Sequence, residues 1–149
     1  MPGQARHDVK RTKKTIEERK TIMFSHVMLG ANDIDASKAF YDATLGALGI
    51  APGRVDPKGR VLYMHPGGMF LLTKPIDGQP ACHANGGTIG FAASSPEQAD
   101  AWHAAGVANG GTAIEDAPGV REAPFGKLYL AYLRDPAGNK VCALHRVAA

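Results

Sequence analysis

The chain has 149 residues, of which 44% are hydrophobic and 21% charged, a composition typical of a globular domain. The sequence has no apolar run of the ~18 residues that a membrane-spanning helix needs, and its start lacks the apolar core of a signal peptide. We therefore expect one cytoplasmic domain and no membrane partner.

The net charge of +3 is unevenly distributed along the chain. Residues 1–20 contain seven Lys/Arg and three Asp/Glu, so residues 21–149 hold the other ten and eleven and carry −1. We expect residues 1–21 to form a flexible polar leader, with a weak, salt-dependent nucleic-acid arm as the alternative. The body is not basic, which argues against nucleic acid as its partner. Cys82 and Cys142 lack a paired spacing and indicate reduced thiols.

Two segments of similar pattern follow the leader. In the first, the pattern predicts a strand at 22–30, a helix that Asp33 or Asp35 caps and Gly46 ends, and strands at 50–55, 60–65 and 69–73. Residues 77–85 read as a linker. In the second, it predicts a strand at 87–93, a helix at 97–108, an irregular stretch at 115–126, and strands at 112–114, 127–133 and 140–146.

A single offset relates the two segments. Moving the sequence by 62 positions places His26 on Thr88 and, at the same offset, Phe40 on Trp102. Because one offset fits both strand and helix, we infer a duplicated unit. The predicted fold is α+β, with two tandem βαβββ modules at about 22–76 and 86–146 that form a curled mixed sheet around a cavity, in one domain at 22–146.

Three segments carry a family resemblance: SHVMLGANDIDASKAFYDATLG, DAWHAAGVANGGT and YLRDPAGNKVCALHR. They resemble the vicinal oxygen chelate superfamily, which groups glyoxalase I, bleomycin-resistance proteins and extradiol dioxygenases. The resemblance implies paired βαβββ modules, frequent homodimers and, in the enzymes, a divalent metal. It also implies that one side chain from the first and last strand of each module holds that metal.

The resemblance places these four ligand positions at His26, Leu71, Thr88 and Cys142. Leucine cannot ligate, and one imidazole with one thiolate falls short of what Ni, Fe or Mn sites require, while zinc is the least improbable exception. We therefore predict no metal ligand, no cofactor and no assigned catalytic residue. The candidate substrate-binding residues are His26, Tyr63, Leu71, Thr88, Tyr129 and Cys142, and further polar contacts are open to Arg121, Glu122 and Tyr132.

The function expected from these residues is binding of a small molecule in the cavity between the modules, by a glyoxalase/bleomycin-resistance-like homodimer without the family's metal site. The alternative is a metal-dependent glyoxalase-like lyase or isomerase, or a dioxygenase. An unrelated metal-free enzyme on the same scaffold also stays open, because fold does not fix function. The modules can pair within one chain or between two chains.

Overall fold

The structure of the protein is a computed structural model that describes residues 23–147, so the predicted leader lies outside the described residues. The first module contains β1 (His26–Gly30), α1 (Ile34–Ala47), β2 (Arg54–Val55), β3 (Val61–His65) and β4 (Gly68–Thr73). Its four strands form one sheet in the order β1-β4-β3-β2, with β1 and β4 parallel. Within residues 23–147, neither helix is long and apolar enough to span a bilayer.

The second module repeats this arrangement and adds one strand. It contains β5 (Ile89–Ala92), α2 (Pro96–Ala108), β6 (Thr112–Ala113), β7 (Gly119–Ala123), β8 (Gly126–Arg134) and β9 (Lys140–Arg146). The strand order is β5-β9-β8-β6, and β7 also pairs with β8. The structure therefore confirms the predicted α+β fold of two modules, with one sheet in each.

The prediction that residues 115–126 are irregular is wrong for part of this stretch. Residues 119–123 form β7, which pairs antiparallel with β8 so that Arg121 lies opposite Leu128. Two prolines, Pro118 and Pro124, flank this strand, and its short sequence alternates too weakly to be recognised. Its conformation depends on the hydrogen bonds that β8 supplies. The strand predicted at 50–55 is likewise shorter, since only 54–55 pair with β3.

Both helices begin at a side-chain cap. Asp33 accepts a hydrogen bond from the Ala36 N–H at 3.0 Å, and Ser95 accepts one from the Gln98 N–H at 3.1 Å. Each cap satisfies one of the backbone donors that a helix start leaves unpaired. Pro96 follows Ser95 at the first turn, where the missing N–H costs nothing.

One hydrophobic core joins the two modules. Phe40 of α1 and Trp102 of α2 are both fully buried in it, as their equivalence in the repeat predicts. The helix-facing residues of both sheets complete the core, including Phe70, Leu72, Leu133, Val141 and Ala143. Side chains alternate along a strand, so each sheet keeps a second face without a helix. We call this the helix-free face.

The turn between β8 and β9 connects the second module to the first through hydrogen bonds. The Asp135 Oδ2 atom accepts hydrogen bonds from the Tyr41 hydroxyl at 2.6 Å and from Asn139 Nδ2 at 2.9 Å. Asn139 Nδ2 also donates to the Gly30 carbonyl at the end of β1, at 2.9 Å. Both side chains of the turn are buried, so these bonds are shielded from water.

These hydrogen bonds form a junction between the modules, and it positions the edge strands β1 and β5 without pairing them. In the described part of the chain, β1 pairs only with β4, and β5 pairs only with β9. Each of these strands therefore presents a free edge, and the two edges flank a gap between the modules. The candidate site described below lies in this gap.

We predict that Tyr41→Phe lowers the free energy of unfolding by about 1–3 kcal/mol, because a buried carboxylate loses a donor. Burial, and then Asp135, raise the pKa of Tyr41 well above its usual value, so the hydroxyl stays a donor throughout the neutral range. The measurement is urea unfolding. The control is Tyr132→Phe, whose hydroxyl has no hydrogen-bond partner among residues 23–147 and whose loss should cost under ~0.5 kcal/mol. Equal costs for the two variants would contradict the proposed junction.

Candidate functional site

The gap between β1 and β5 is a groove of about 330 Å³. We call it the inter-module groove. Leu45, Leu48 and Ile50, at the end of α1 and just beyond it, line one part of it. Ile89, Phe91 and Ala92 of β5 line another, with Val27 and Phe70 from the first sheet. The lining is thus mainly aliphatic and aromatic.

Aromatic contacts across the modules build the apolar floor of the groove. The rings of Phe70 and Phe91 meet edge to face, with their centroids 5.3 Å apart. Tyr41 packs on Phe70 at 4.7 Å between centroids. Such tilted pairs stabilise beyond the area they bury, so this floor is a rigid part of the fold.

Two histidines line the groove near its exposed rim. The His26 Nδ1 atom lies 2.8 Å from the Ser25 hydroxyl, and His65 Nδ1 accepts a hydrogen bond from the Gly67 N–H at 3.0 Å. Both side chains are exposed, and both line the groove. No carboxylate is among the lining residues. The groove can therefore offer imidazole groups to a ligand but no negative charge.

Tyr63 lines the groove with its ring and not with a free hydroxyl. It is 2% exposed, and its hydroxyl donates a hydrogen bond to Asp42 Oδ1 at 2.8 Å. Burial, followed by this bond to Asp42, raises the pKa of Tyr63 far above its ordinary value. The phenol therefore stays protonated and engaged, and Tyr63 acts as a wall of the groove.

Leu71 and Cys142 lie on the helix-free faces of the two sheets. Leu71 is opposite Met28 in the register of β1 and β4, and Cys142 is opposite Gly90 in that of β5 and β9. A Cβ atom added to Gly90 would lie 3.3 Å from the Cys142 sulfur, so the thiol lies beside this groove-lining glycine on the helix-free face. The structure thus brings Cys142 next to the groove but not into its lining.

The last two candidates, Thr88 and Tyr129, do not line the groove. Thr88 is exposed just before β5. Tyr129 packs against the core from the helix-covered face of the second sheet, and its hydroxyl donates to Asp100 Oδ1 of α2 at 2.7 Å. Of the six predicted residues, the structure brings only His26 and Tyr63 into one cavity.

The four positions that the resemblance assigns to a metal do not form a suitable donor set. Within residues 23–147, no group of three or more His, Cys, Asp or Glu side chains is arranged to hold a metal ion. Burial raises the pKa of the Cys142 thiol to about 11, against a smaller opposite effect of Lys140. A protonated thiol is a poor ligand. With Leu71 and Thr88 at two of the positions, these residues do not fit the divalent metal of the related enzymes.

Sequence reasoning missed most of the groove. Leu48 follows a predicted helix, and Ile50 and Phe91 were predicted only as parts of strands. The signal that could have found Phe91 was the apolar character of its strand, which is typical of a buried position. That β1 and β5 leave their edges unpaired is a property of the tertiary structure.

Comparisons with known proteins agree with this architecture. The family model described as the Glyoxalase/Bleomycin resistance protein/Dioxygenase superfamily matches residues 23–143. A glyoxalase/bleomycin resistance protein from Albidiferax ferrireducens T118 has a similar solved structure, with 64% identity and a TM-score of 0.81. The similarity covers 83% of this chain and 99% of that one. No curated protein matches the chain significantly.

More distant solved structures share the fold alone. A glyoxalase/bleomycin resistance protein/dioxygenase family enzyme from Burkholderia phytofirmans PsJN is 19% identical, with a TM-score of 0.64 over 83% of this chain and 98% of its own. Lactoylglutathione lyase from Agrobacterium tumefaciens is 24% identical, with a TM-score of 0.57 over 82% and 92%.

We predict that the two described cysteines differ strongly in thiol reactivity. Cys82 is exposed, whereas Cys142 is buried with a pKa of about 11, so Cys142 carries little thiolate near neutral pH. A disulfide-exchange reagent such as dithionitrobenzoate should label Cys142 slowly in the Cys82→Ala variant. The rate should rise about tenfold for each pH unit up to about pH 10, as the thiolate fraction grows. Rapid, pH-independent labelling of this variant would contradict the assigned environment.

Proposed function

Because the chain belongs to the glyoxalase/bleomycin resistance protein/dioxygenase superfamily, we propose that it binds a small apolar or aromatic molecule in the inter-module groove, without a metal ion. The observation that carries this proposal is the lining of the groove, which combines aromatic and aliphatic walls with two imidazoles and no carboxylate. Its volume of about 330 Å³ lies at the lower end of the range for small-molecule sites.

The same lining argues against a basic ligand. A planar cation would be stabilised by carboxylates or by aromatic rings that stand open to it. Here no carboxylate lines the groove and Asp42 already pairs with Lys38 at 2.6 Å, so a cation would have to rely on exposed rings such as that of Phe24. A neutral or anionic aromatic molecule needs no carboxylate partner, so this lining does not disfavour it.

We further propose a cytoplasmic homodimer. Its support is the helix-free face of the first sheet, where Met28 and Met64 are 41% and 57% exposed. Met28 lies opposite Leu71 and Met64 opposite Met69 on this face, and a second copy would remove this apolar surface from water. Sedimentation velocity should give the mass of two chains, and the mass of one chain at micromolar concentration would refute the dimer.

We predict that N-phenylnaphthylamine, a neutral probe that fluoresces in apolar sites, binds the groove. Ala92 is exposed and lines the groove, so Ala92→Leu should fill part of it and weaken binding at least about fivefold. Fluorescence titration of the full chain gives the dissociation constant. Ala104→Leu is the matched control, because it adds the same side chain to an exposed position of α2. Equal weakening in both variants, or in neither, would show that the probe binds elsewhere.

The metal-dependent alternative is tested by elemental analysis of protein purified without a chelator. We expect well below ~0.2 divalent ions per chain, since the available imidazole and thiol do not satisfy a divalent metal. About one ion per chain, lost in His26→Ala, would overturn the metal-free proposal. It would move the protein to the metal-dependent lyases, isomerases or dioxygenases of its family.

A further inference from the structure

Arg121 and Arg146 lie near each other on the helix-free face of the second sheet, at the opposite end of β8 from Arg134. Leu128 of β8 lies between them, opposite Arg121 of β7 on one side and opposite Arg146 of β9 on the other. Residues directly opposite each other in adjacent strands project to the same face. The two cationic side chains therefore stand two strand spacings apart, roughly 10 Å, on one surface.

The Arg121 guanidinium is held in place by its own loop. Its Nη2 atom donates hydrogen bonds to the carbonyls of Asp116 and Ala117 at 3.1 and 3.0 Å. The loop begins at Glu115, which has a φ of 58° in the left-handed region and pairs with Lys140 at 3.3 Å. A non-glycine residue in this conformation indicates a loop whose shape is imposed by its contacts.

The other nitrogen of Arg121 lies back along its own strand, over Gly119. A Cβ atom added to Gly119 would lie 3.3 Å from Arg121 Nη1, so the guanidinium extends over this glycine. Gly119 is opposite Leu130, which places the charge beside the next row of side chains towards the groove. A larger residue at 119 would occupy this space.

Neither arginine has an acidic partner in the described part of the chain. The ion pairs of residues 23–147 involve Lys38, Arg60 and Lys140, but neither Arg121 nor Arg146. Arg146 instead lies over the ring of Phe125, at 5.9 Å from its centroid. Glu122 follows Arg121 directly and so projects to the opposite face of β7. Glu115 and Asp116 lie in the neighbouring loop but form no ion pair with either arginine, so both guanidinium groups lack a direct acidic partner among residues 23–147.

An apolar path connects this charge with the inter-module groove. Leu130 of β8 is opposite Leu144 of β9, and Leu144 is opposite Ala92 of β5, which lines the groove. This row covers three strand spacings from Gly119 to Ala92, roughly 14 Å. Leu130 is 8% exposed and Leu144 is half-buried, so a two-ring apolar body that reached from the groove towards the guanidinium would contact mainly Leu144.

We propose that Arg121, with Arg146 beside it, binds the anionic group of an organic acid whose apolar body lies over Leu130 and Leu144 and enters the groove. The inference rests on the proposed function and names the ligand class for that site. A carboxylate or sulfonate gains charge-assisted hydrogen bonds from Arg121 Nη1, while Nη2 stays with the loop. A basic ligand would be repelled from the same surface.

The test compares two probes that share one apolar body. Anilinonaphthalene sulfonate carries an anionic group, and N-phenylnaphthylamine lacks it. We expect the full chain to bind the sulfonate more tightly, and Arg121→Gln to weaken the sulfonate about tenfold while it changes the neutral probe less than twofold. Arg121→Lys, which keeps the charge, should recover part of the loss. Lys58→Gln is the control, because it removes the same charge from an exposed turn of the first module.

If the loop of Arg121→Gln does not fold, Arg146→Gln provides a second test, since the Arg146 side chain is exposed and lies over the ring of Phe125 in the turn before β8. It should weaken the sulfonate about threefold and leave the neutral probe unchanged. Equal affinity of both probes, or a sulfonate affinity that neither arginine variant alters, would overturn the anion site. Binding of the neutral probe would in that case still support the groove. If neither probe binds, both proposals fail.

Discussion

The arrangement of the two modules depends on one buried carboxylate. Asp135 accepts four hydrogen bonds, from the N–H groups of Ala137 and Asn139, from Asn139 Nδ2 and from the Tyr41 hydroxyl. A buried charge is stable only when it is hydrogen-bonded in this way. Because Asn139 also holds the end of β1, the turn fixes how far the edge of β1 stands from that of β5. This distance sets the width of the groove between the two edges.

The chemistry open to the protein follows from which surfaces the helices cover. The core takes up one face of each sheet, and this leaves the helix-free faces and the two free edges for a ligand. The groove is apolar, and the adjoining face of the second sheet carries Arg121 and Arg146. Carboxylates are absent from the groove lining. The acidic groups near the two arginines are Glu115, which pairs with Lys140, Asp116, which forms no ion pair among residues 23–147, and Glu122, which projects to the other face. Both properties favour an apolar molecule that is neutral or acidic.

The sequence was sufficient for the two helices and for the repeat. The single offset predicted the equivalence of Phe40 and Trp102, and the cap at Asp33 follows from the residues next to it. The junction could not be predicted from the sequence, because Tyr41 and Asp135 are 94 positions apart. Each side chain alone has an ordinary local role. The strand β7 was missed because its pairing with β8, and not its own pattern, determines its conformation. The residues of the site were recognisable only in part, since a groove between unpaired edges has no sequence period.

A crystal structure of the full chain with N-phenylnaphthylamine, with anomalous data collected for transition metals, tests the account most directly. The account predicts the probe between β1 and β5, in contact with Phe91 and Ala92, with the Tyr41 to Asp135 hydrogen bond intact and no anomalous peak near His26. A metal peak coordinated by His26, or an inter-module groove closed by direct pairing of β1 with β5, would contradict it.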